Sequence, residues 1–359
     1  MQIMNVTFKD VAKLANVSTQ TVSRVTNGSP NVAEDTREKV NAAIKQLGYI
    51  PNKGAQLLGR AKSKMIGLVT GELLLHGASM VANGIRKQSS ELGYGTSLSV
   101  VSEHSMDKVT DALNDLKAQR IEFIILNIPL NKEESEMLVE QYPGIHFVFV
   151  DVPPSAKVNA VYAANYDGAV KAAEYMVLTQ RKRFLFITGP NESSASELRV
   201  QAWKDVLKKH PDIEIIDQLE GDWQARSGYA RTHEALCDGC SFDCVMVGSD
   251  QMALGVLRAL SEFNLSVPQQ VSVIGFDDTF DSAYFYPPLT TIKQDFLTIG
   301  KRAVSLAVNM ENQDVTEAHH ETIKTEIIER KTVQPYQQTQ NNKTQIRELL
   351  KQAEQLLGE

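Results

Sequence analysis

Residues 7–48 hold three short runs with helical apolar spacing, parted by turns of a few residues. So little chain can bury those runs only against one another, which predicts a compact three-helix unit. Thr7 with Asp10 has the form of a capping box, and Val11, Leu14 and Ala15 recur at helical spacing behind it. Asn16 stands where the turn needs a residue tolerant of positive φ. Ser18 is suited to start a second helix, in which Val22 and Val25 turn inward. Thr19, Gln20, Ser23 and Arg24 are then left outward near its N-terminus. Gln suits adenine edges and Arg suits guanine, so a helix carrying both fits a DNA groove. A loop from Asn27 to Pro30 leads to a third helix over about 33–47, closed by Gly48.

Charge agrees with that expectation. Residues 1–62 hold nine Lys and Arg against four Asp and Glu, whereas the remainder holds 28 against 40. A basic head on an acidic body draws phosphate to one end of the chain. A helical hairpin used only for protein contact would not need the outward polar set, the turn and the caps to agree.

At 359 residues the chain has room for more than one core. Beyond residue 63, apolar runs at 65–71, 96–101, 123–128, 146–152, 184–189, 213–219, 244–250 and 271–277 alternate with helical patterns. Continuous apolar strands separated by helices predict parallel sheets covered on both faces. Some 270 residues of this divide naturally into two α/β lobes. Such folds bind ligands just past the carboxyl ends of strands. Thr70, Asn127, Asp151, Ser249, Asp250, Asp277 and Asp278 fall there.

Several classes are disfavoured. No run approaches the ~18 apolar residues of a membrane span, and the first residues lack a secretory pattern, so a cytoplasmic location without membrane contact is expected. Cys237, Cys240 and Cys244 with His233 raise the question of a metal. Cys244, however, opens an apolar strand and reads as a small buried hydrophobe, so no metal and no cofactor are expected. Neither a GxxxxGK[ST] loop nor a GxGxxG fingerprint occurs. No nucleophile with a nearby base emerges either, and an enzyme is not expected. Carboxylates, an arginine and aromatics remain, a set suited to sugar hydroxyls and to the C–H face of a pyranose.

The segments DVAKLANVSTQTVSRVTN, TREKVNAAIKQLGYIPN, EGDW (220–223), DQMALG (250–255) and PPLTTIKQDF (287–296) resemble the LacI–GalR family of bacterial repressors. The resemblance spans essentially the whole chain. It implies an α/β fold with an N-terminal helix-turn-helix head (1–51), a hinge (52–63) and a two-lobed body of periplasmic-binding-protein type (64–332). A linker (333–343) and a C-terminal oligomerisation helix (344–359) complete it. It implies contacts to double-stranded operator DNA from Thr19, Gln20, Ser23, Arg24 and Asn27, with Leu58 wedged into the minor groove. For a small sugar effector of β-galactoside type it implies Leu75, Asn127, Asp151, Arg199, Trp223, Ser249, Asp277, Gln294 and Phe296. Three positions depart from the family's lac-type pocket: Ser249 replaces an amide, Ala163 an aromatic ring and Ala195 a hydroxyl. Thr19 likewise replaces an aromatic residue at the first reading position. The same architecture also serves corepressors such as purines, so the sign of the response stays open here.

Two segments carry the expected control. Residues 52–60 are too short, and too rich in glycine, to hold a helix alone, since each Gly costs roughly 1 kcal/mol. They read either as a plain linker or as a hinge ordered only when paired on DNA. Ile346, Leu349, Leu350, Ala353, Leu356 and Leu357 form one apolar stripe beyond a polar tether. That stripe suits a dimer-joining helix, giving a homotetramer, or docking back on the body.

Overall fold

A computed structural model describes residues 6–27, 29, 31–50, 63–101, 105–310 and 318–334. Leu58 with the hinge, the tail stripe and most of the 333–343 linker lie outside the described residues. Two compact units result, one holding the head together with 116–122, the other holding the body.

In the head, α1 spans Phe8–Ala15, α2 Thr19–Thr26 and α3 Glu34–Leu47. The Asp10 carboxylate accepts from the Thr7 N–H at 2.8 Å and from its Oγ1 at 2.7 Å. Asn16 takes φ 52° and Gly48 φ 61°, each ending a helix in the left-handed region. Ser18 Oγ accepts from the Thr21 N–H at 3.0 Å, as an N-cap should. Val11, Ala12, Ala15, Val22, Val25, Val40 and Ala43 form the core. Leu14 does not join it. It is 43% exposed, because the buried face of α1 runs through 11, 12 and 15 and leaves position 14 turned away.

The body contains two six-stranded sheets, ordered β11-β5-β4-β3-β1-β2 and β12-β10-β9-β8-β6-β7. In the first lobe β1 is Met65–Thr70, β2 Gly95–Val100, β3 Phe123–Pro129, β4 His146–Asp151, β5 Ala160–Ala163 and β11 His320–Ile323. The second lobe takes β6 Arg183–Thr188, β7 Glu214–Glu220, β8 Cys244–Val247, β9 Ser272–Asp277, β10 Thr290–Lys293 and β12 Glu326–Ile328. Pairing is parallel except between β10 and β12. The chain therefore passes between lobes after β5, after β10 and after β11.

Successive residues of β6 serve opposite faces. Phe184 and Phe186 enter one core with Trp203 and Phe276, while Leu185 and Ile187 enter another with Val256 and Leu260. Both faces are covered, which is why the strand reads as a continuous apolar run. Helix α4 (His76–Glu91) packs on α11 (Phe296–Asn309), so α11 lies in the first lobe although it follows a strand of the second. A Cβ on Gly84 would meet the Leu297 carbonyl oxygen at 2.2 Å, so glycine sets how closely these helices approach.

Four strands went unread in the sequence. β5, β10, β11 and β12 are only three or four residues long, and Thr290, Thr291, His320 and Glu321 break the apolar run. The run at 244–250 is shorter than expected: β8 stops at Val247, Ser249 is an N-cap and Asp250 opens helix α10 (Asp250–Glu262). Cys244 is fully buried, Cys237 is exposed, and Cys237 Sγ lies 3.6 Å from His233 Nδ1. No helix among the described residues is long and apolar enough to cross a membrane.

Candidate ligand cleft and DNA-reading helix

Between the two lobes lies a cavity of about 480 Å³, within the range of small-molecule sites. Its lining includes every expected ligand residue: Leu75, Asn127, Asp151, Arg199, Trp223, Ser249, Asp277, Gln294 and Phe296. Ala163 and Ala195 line it as well, so those departures stand at the wall itself.

Arg199, on helix α8 (Ser194–Leu207), is the centre of the buried polar network. Its Nε and Nη2 donate to Asn165 Oδ1 at 3.0 and 2.9 Å, and its Nη1 donates to the Gly248 carbonyl. The guanidinium lies 3.9 Å above the Phe276 ring and 5.2 Å from the Trp223 ring centre. Asp277 Oδ1 stands 3.9 Å from its Nη1 and accepts from Gln294 Nε2 at 2.6 Å. Burial pushes the Asp277 carboxyl up to about 8, against the pull of Arg199. The same burial lowers the guanidinium's pKa, opposed first by Asp277. Asp277 adopts φ 131° and Asp278 φ 57°, and neither caps a helix. Asp278 instead pairs with Arg330 at 2.5 Å.

Asp151 spans the lobes. At the end of β4 in the first lobe, it accepts from Ser193 Oγ at 2.7 Å and from the Ala195 N–H at 3.0 Å, both in the second. Desolvation raises its pKa, with those two hydrogen bonds opposing. A second crossing joins the His76 N–H to Gln251 Oε1 at 3.1 Å. Asn127 Nδ2 donates to Thr70 Oγ1 at 3.1 Å, and that hydroxyl lies 3.4 Å from the Asn127 main-chain carbonyl, to which it donates. Ser249 is more occupied: it accepts from the Met252 N–H and donates to the Trp223 carbonyl, both at 3.2 Å.

The walls are aromatic. Trp223 is half-buried with φ 71°, and a Cβ on Gly189 would fall 2.1 Å from its ring, so glycine there makes room for the indole. Phe296 opens α11 against Gly77, its ring centre 5.9 Å from that of His76. Thr70, Asp250 and Asp278, although at strand ends, do not line the cavity. Asp250 is fully buried and accepts from Thr279, Ser282 and Thr291, bracing the loop after β9.

On α2, Thr19, Gln20 and Arg24 are exposed and Ser23 is half-buried. Asn27 differs. It is the C-cap of α2, half-buried, with Nδ2 3.3 Å from Ser23 Oγ.

Residues 7–52 match the model of the lacI family of bacterial regulatory proteins, and 173–333 that of a periplasmic binding protein-like domain. The lactose operon repressor of Escherichia coli strain K12 is 34% identical over 352 residues, covering 98% of this chain and 97% of that protein. The chain belongs to the LacI family. As such it is a DNA-binding transcriptional repressor. A crystal structure of the lac repressor dimer bound to operator and the anti-inducer ONPF superposes with a TM-score of 0.85 at 35% identity, covering 92% of this chain and 99% of that one. The repressor PurR of Haemophilus influenzae is 30% identical, covering 91% of this chain and 98% of that protein. Family membership thus fixes the architecture and leaves the effector to be argued from the cleft.

Within this LacI-family cleft, sequence reasoning missed Asn165, Ser193 and Gln251. Asn165 follows β5, a strand too short to be noticed, so the strand-end rule never reached it. Ser193 carried a signal: it has the spacing of an N-cap before an apolar helical run, and its side chain does accept from the Ser196 N–H. Gln251 lay inside the family-like segment DQMALG, but nothing local pointed its side chain at the other lobe.

Proposed function

We propose that this repressor leaves its operator when a small neutral sugar, of β-galactoside type, fills the cleft. The observation that carries the reading is the juxtaposition of Arg199, Asp277, Gln294 and Asn127 with the Trp223 and Phe296 walls in one cavity. Charged and amide groups fix hydroxyls, while aromatic faces cover the C–H side of a pyranose. Leu75 and Ser249 complete the set, Ser249 chiefly through its hold on Trp223.

Control requires that the sugar bind one arrangement of the lobes more tightly than another. Asp151–Ser193 and His76–Gln251 are the contacts such a change would remake. In this reading Thr19, Gln20, Ser23 and Arg24 meet the operator, Asn27 supports them from the helix end, and Leu58 of the 52–63 hinge enters the minor groove. Two heads act as a homodimer on a pseudo-palindromic site in the cytoplasm, and the 344–359 helix joins dimers into a tetramer able to hold two operators. By linkage, operator must weaken sugar binding by the factor by which sugar weakens operator binding.

A gel-shift titration of the full-length protein with β-galactosides, β-glucosides and purine bases tests this. Release by a galactoside is expected. Operator retained only when a purine is added would overturn the proposal in favour of a corepressor.

A further inference from the structure

The first passage between the lobes is a single residue. β5 ends at Ala163 in the first lobe, helix α7 (Asn165–Leu178) follows, and Ala164 stands between them. α7 belongs to the second lobe, because Ala169, Ala172 and Met176 enter the core that holds Phe184 and Phe186. Ala164, at φ −69° and ψ 68°, is neither strand nor helix. Asn165 is buried beside it, in the wall of the cavity. Its amide faces both ways. Oδ1 accepts from Arg199 Nε and Nη2 at 3.0 and 2.9 Å, and Nδ2 donates to the Ala163 carbonyl at 3.2 Å.

The second passage is built differently. Gln294, just after β10, turns its N–H and its Nε2 to Asp277, all within the second lobe. Only Asn165 closes a side-chain bond over the crossover residue itself. Rotation of the lobes about this point must turn the torsions of Ala164. The distance from Nδ2 to the Ala163 carbonyl depends on those torsions, so the bond cannot stay unchanged. The other end of the amide fixes the cleft's guanidinium. Three of the five N–H groups of Arg199 are engaged, by Asn165 and the Gly248 carbonyl, which leaves one on each Nη.

We propose that Asn165 is a positioning residue that couples the effector cleft to the crossover. It aims the remaining donors of Arg199 and, through Ala163, makes their placement depend on how the lobes are arranged. An effector that takes up those donors binds best where they are held, which supplies the differential affinity that control requires. The inference rests on the reading that Arg199 meets the effector. An amide is needed, since one group must accept a fork of two N–H donors and also donate.

Operator binding to the full-length protein, measured by fluorescence anisotropy with and without saturating methyl β-galactoside and, in parallel, adenine, is the test. The ratio of operator affinities without and with ligand measures the coupling. Asn165→Asp keeps an acceptor for Arg199 but sets a second oxygen against the Ala163 carbonyl. Its ratio should fall at least about fivefold, and by more than its affinity for the ligand falls. Asn165→Leu, which loses both ends, should also bind the ligand at least about tenfold more weakly. A purely structural role would lower melting or ligand affinity and leave the ratio unmoved. A folded Asn165→Asp protein with the parent's ratio, while galactoside still releases operator, would overturn the proposal alone. Amide exchange needs no substitution: protection across residues 160–168 should change when ligand binds the parent, and unchanged exchange there would overturn the proposal too. A response to adenine and not to galactoside would overturn the glycoside reading, and the adenine ratio would then judge Asn165. A parent that responds to neither would overturn both.

Discussion

The helix proposed to read DNA and the cleft proposed to hold the effector use polar side chains in opposite ways. On α2, Thr19, Gln20 and Arg24 sit in water on a small apolar core, and the fold asks nothing of their functional groups. In the cleft, Arg199, Asp277 and Gln294 are buried and satisfy one another. Specificity can therefore change on α2 at little structural cost. In the cleft each of these polar residues is part of the framework whatever it binds, because a buried group that loses its partner bears its full desolvation cost.

The largest break in that comparison should come from Arg199→Met. Loss of the guanidinium frees Asn165, the Gly248 carbonyl and Asp277 at once. The body should lose about 3 kcal/mol in denaturant melts, with sugar response abolished. Arg199→Lys should not restore the response, since one ammonium cannot reach Asn165 twice and Gly248 together. A loss below about 1 kcal/mol would mean that the network is not what holds the lobe.

The next effect is a pH dependence. Burial raises Asp277 to about 8 in the folded protein, against about 3.9 for an unfolded aspartate. The folded state then holds a proton that the unfolded state releases, so stability falls as pH rises through that interval. Asp151 and Asp250, raised for the same reason, act in the same direction. The body should lose on the order of 2–3 kcal/mol between pH 6 and pH 8.5. Asp277→Asn should flatten most of that slope; a slope it leaves intact would assign the proton elsewhere.

The same contrast explains what was legible in the sequence. The head was readable almost residue by residue, because caps, turns and outward polar groups are local signals: Thr7 with Asp10, Asn16, Ser18 and Gly48 each act within four residues. Leu14 was misplaced because spacing alone does not say which side of an eight-residue helix faces α3. In the body, long strands such as β6 announced themselves by buried faces, while β5 and β10 were hidden by their brevity. Asn127, Asp151, Ser249 and Asp277 were reached from strand ends as well as by resemblance, the other five of the nine by resemblance alone, and all nine line the cavity. What they do to one another was not legible. That Asp151 ties the lobes together, or that Asn165 orients Arg199, depends on contacts 44 and 34 residues apart in the chain.

On the reading helix the expected effects are smaller and of another kind. Gln20→Ala and Arg24→Ala should each weaken operator binding by about 1–3 kcal/mol in a gel shift and relax preference at one base pair. Both should leave the head's melting within about 0.5 kcal/mol of the parent. If either variant destabilised the head as much as it weakened binding, the separation of reading from folding on α2 would not hold.

The smallest test lies between the two regimes. Ser18 is exposed like the reading residues, yet its Oγ accepts the Thr21 N–H and so starts the helix that carries them. Ser18→Ala should cost the head about 1 kcal/mol. It should weaken operator binding only through the fraction of helices that fray, equally for all operator sequences. Ser18→Asp should restore stability, since a carboxylate caps as well and favours the positive helix end. Its effect on binding would carry the opposite sign if position 18 lies near phosphate. A stable but weakly binding Ser18→Asp protein would therefore place the N-terminus of α2 beside the DNA backbone, by a measurement that owes nothing to base contacts.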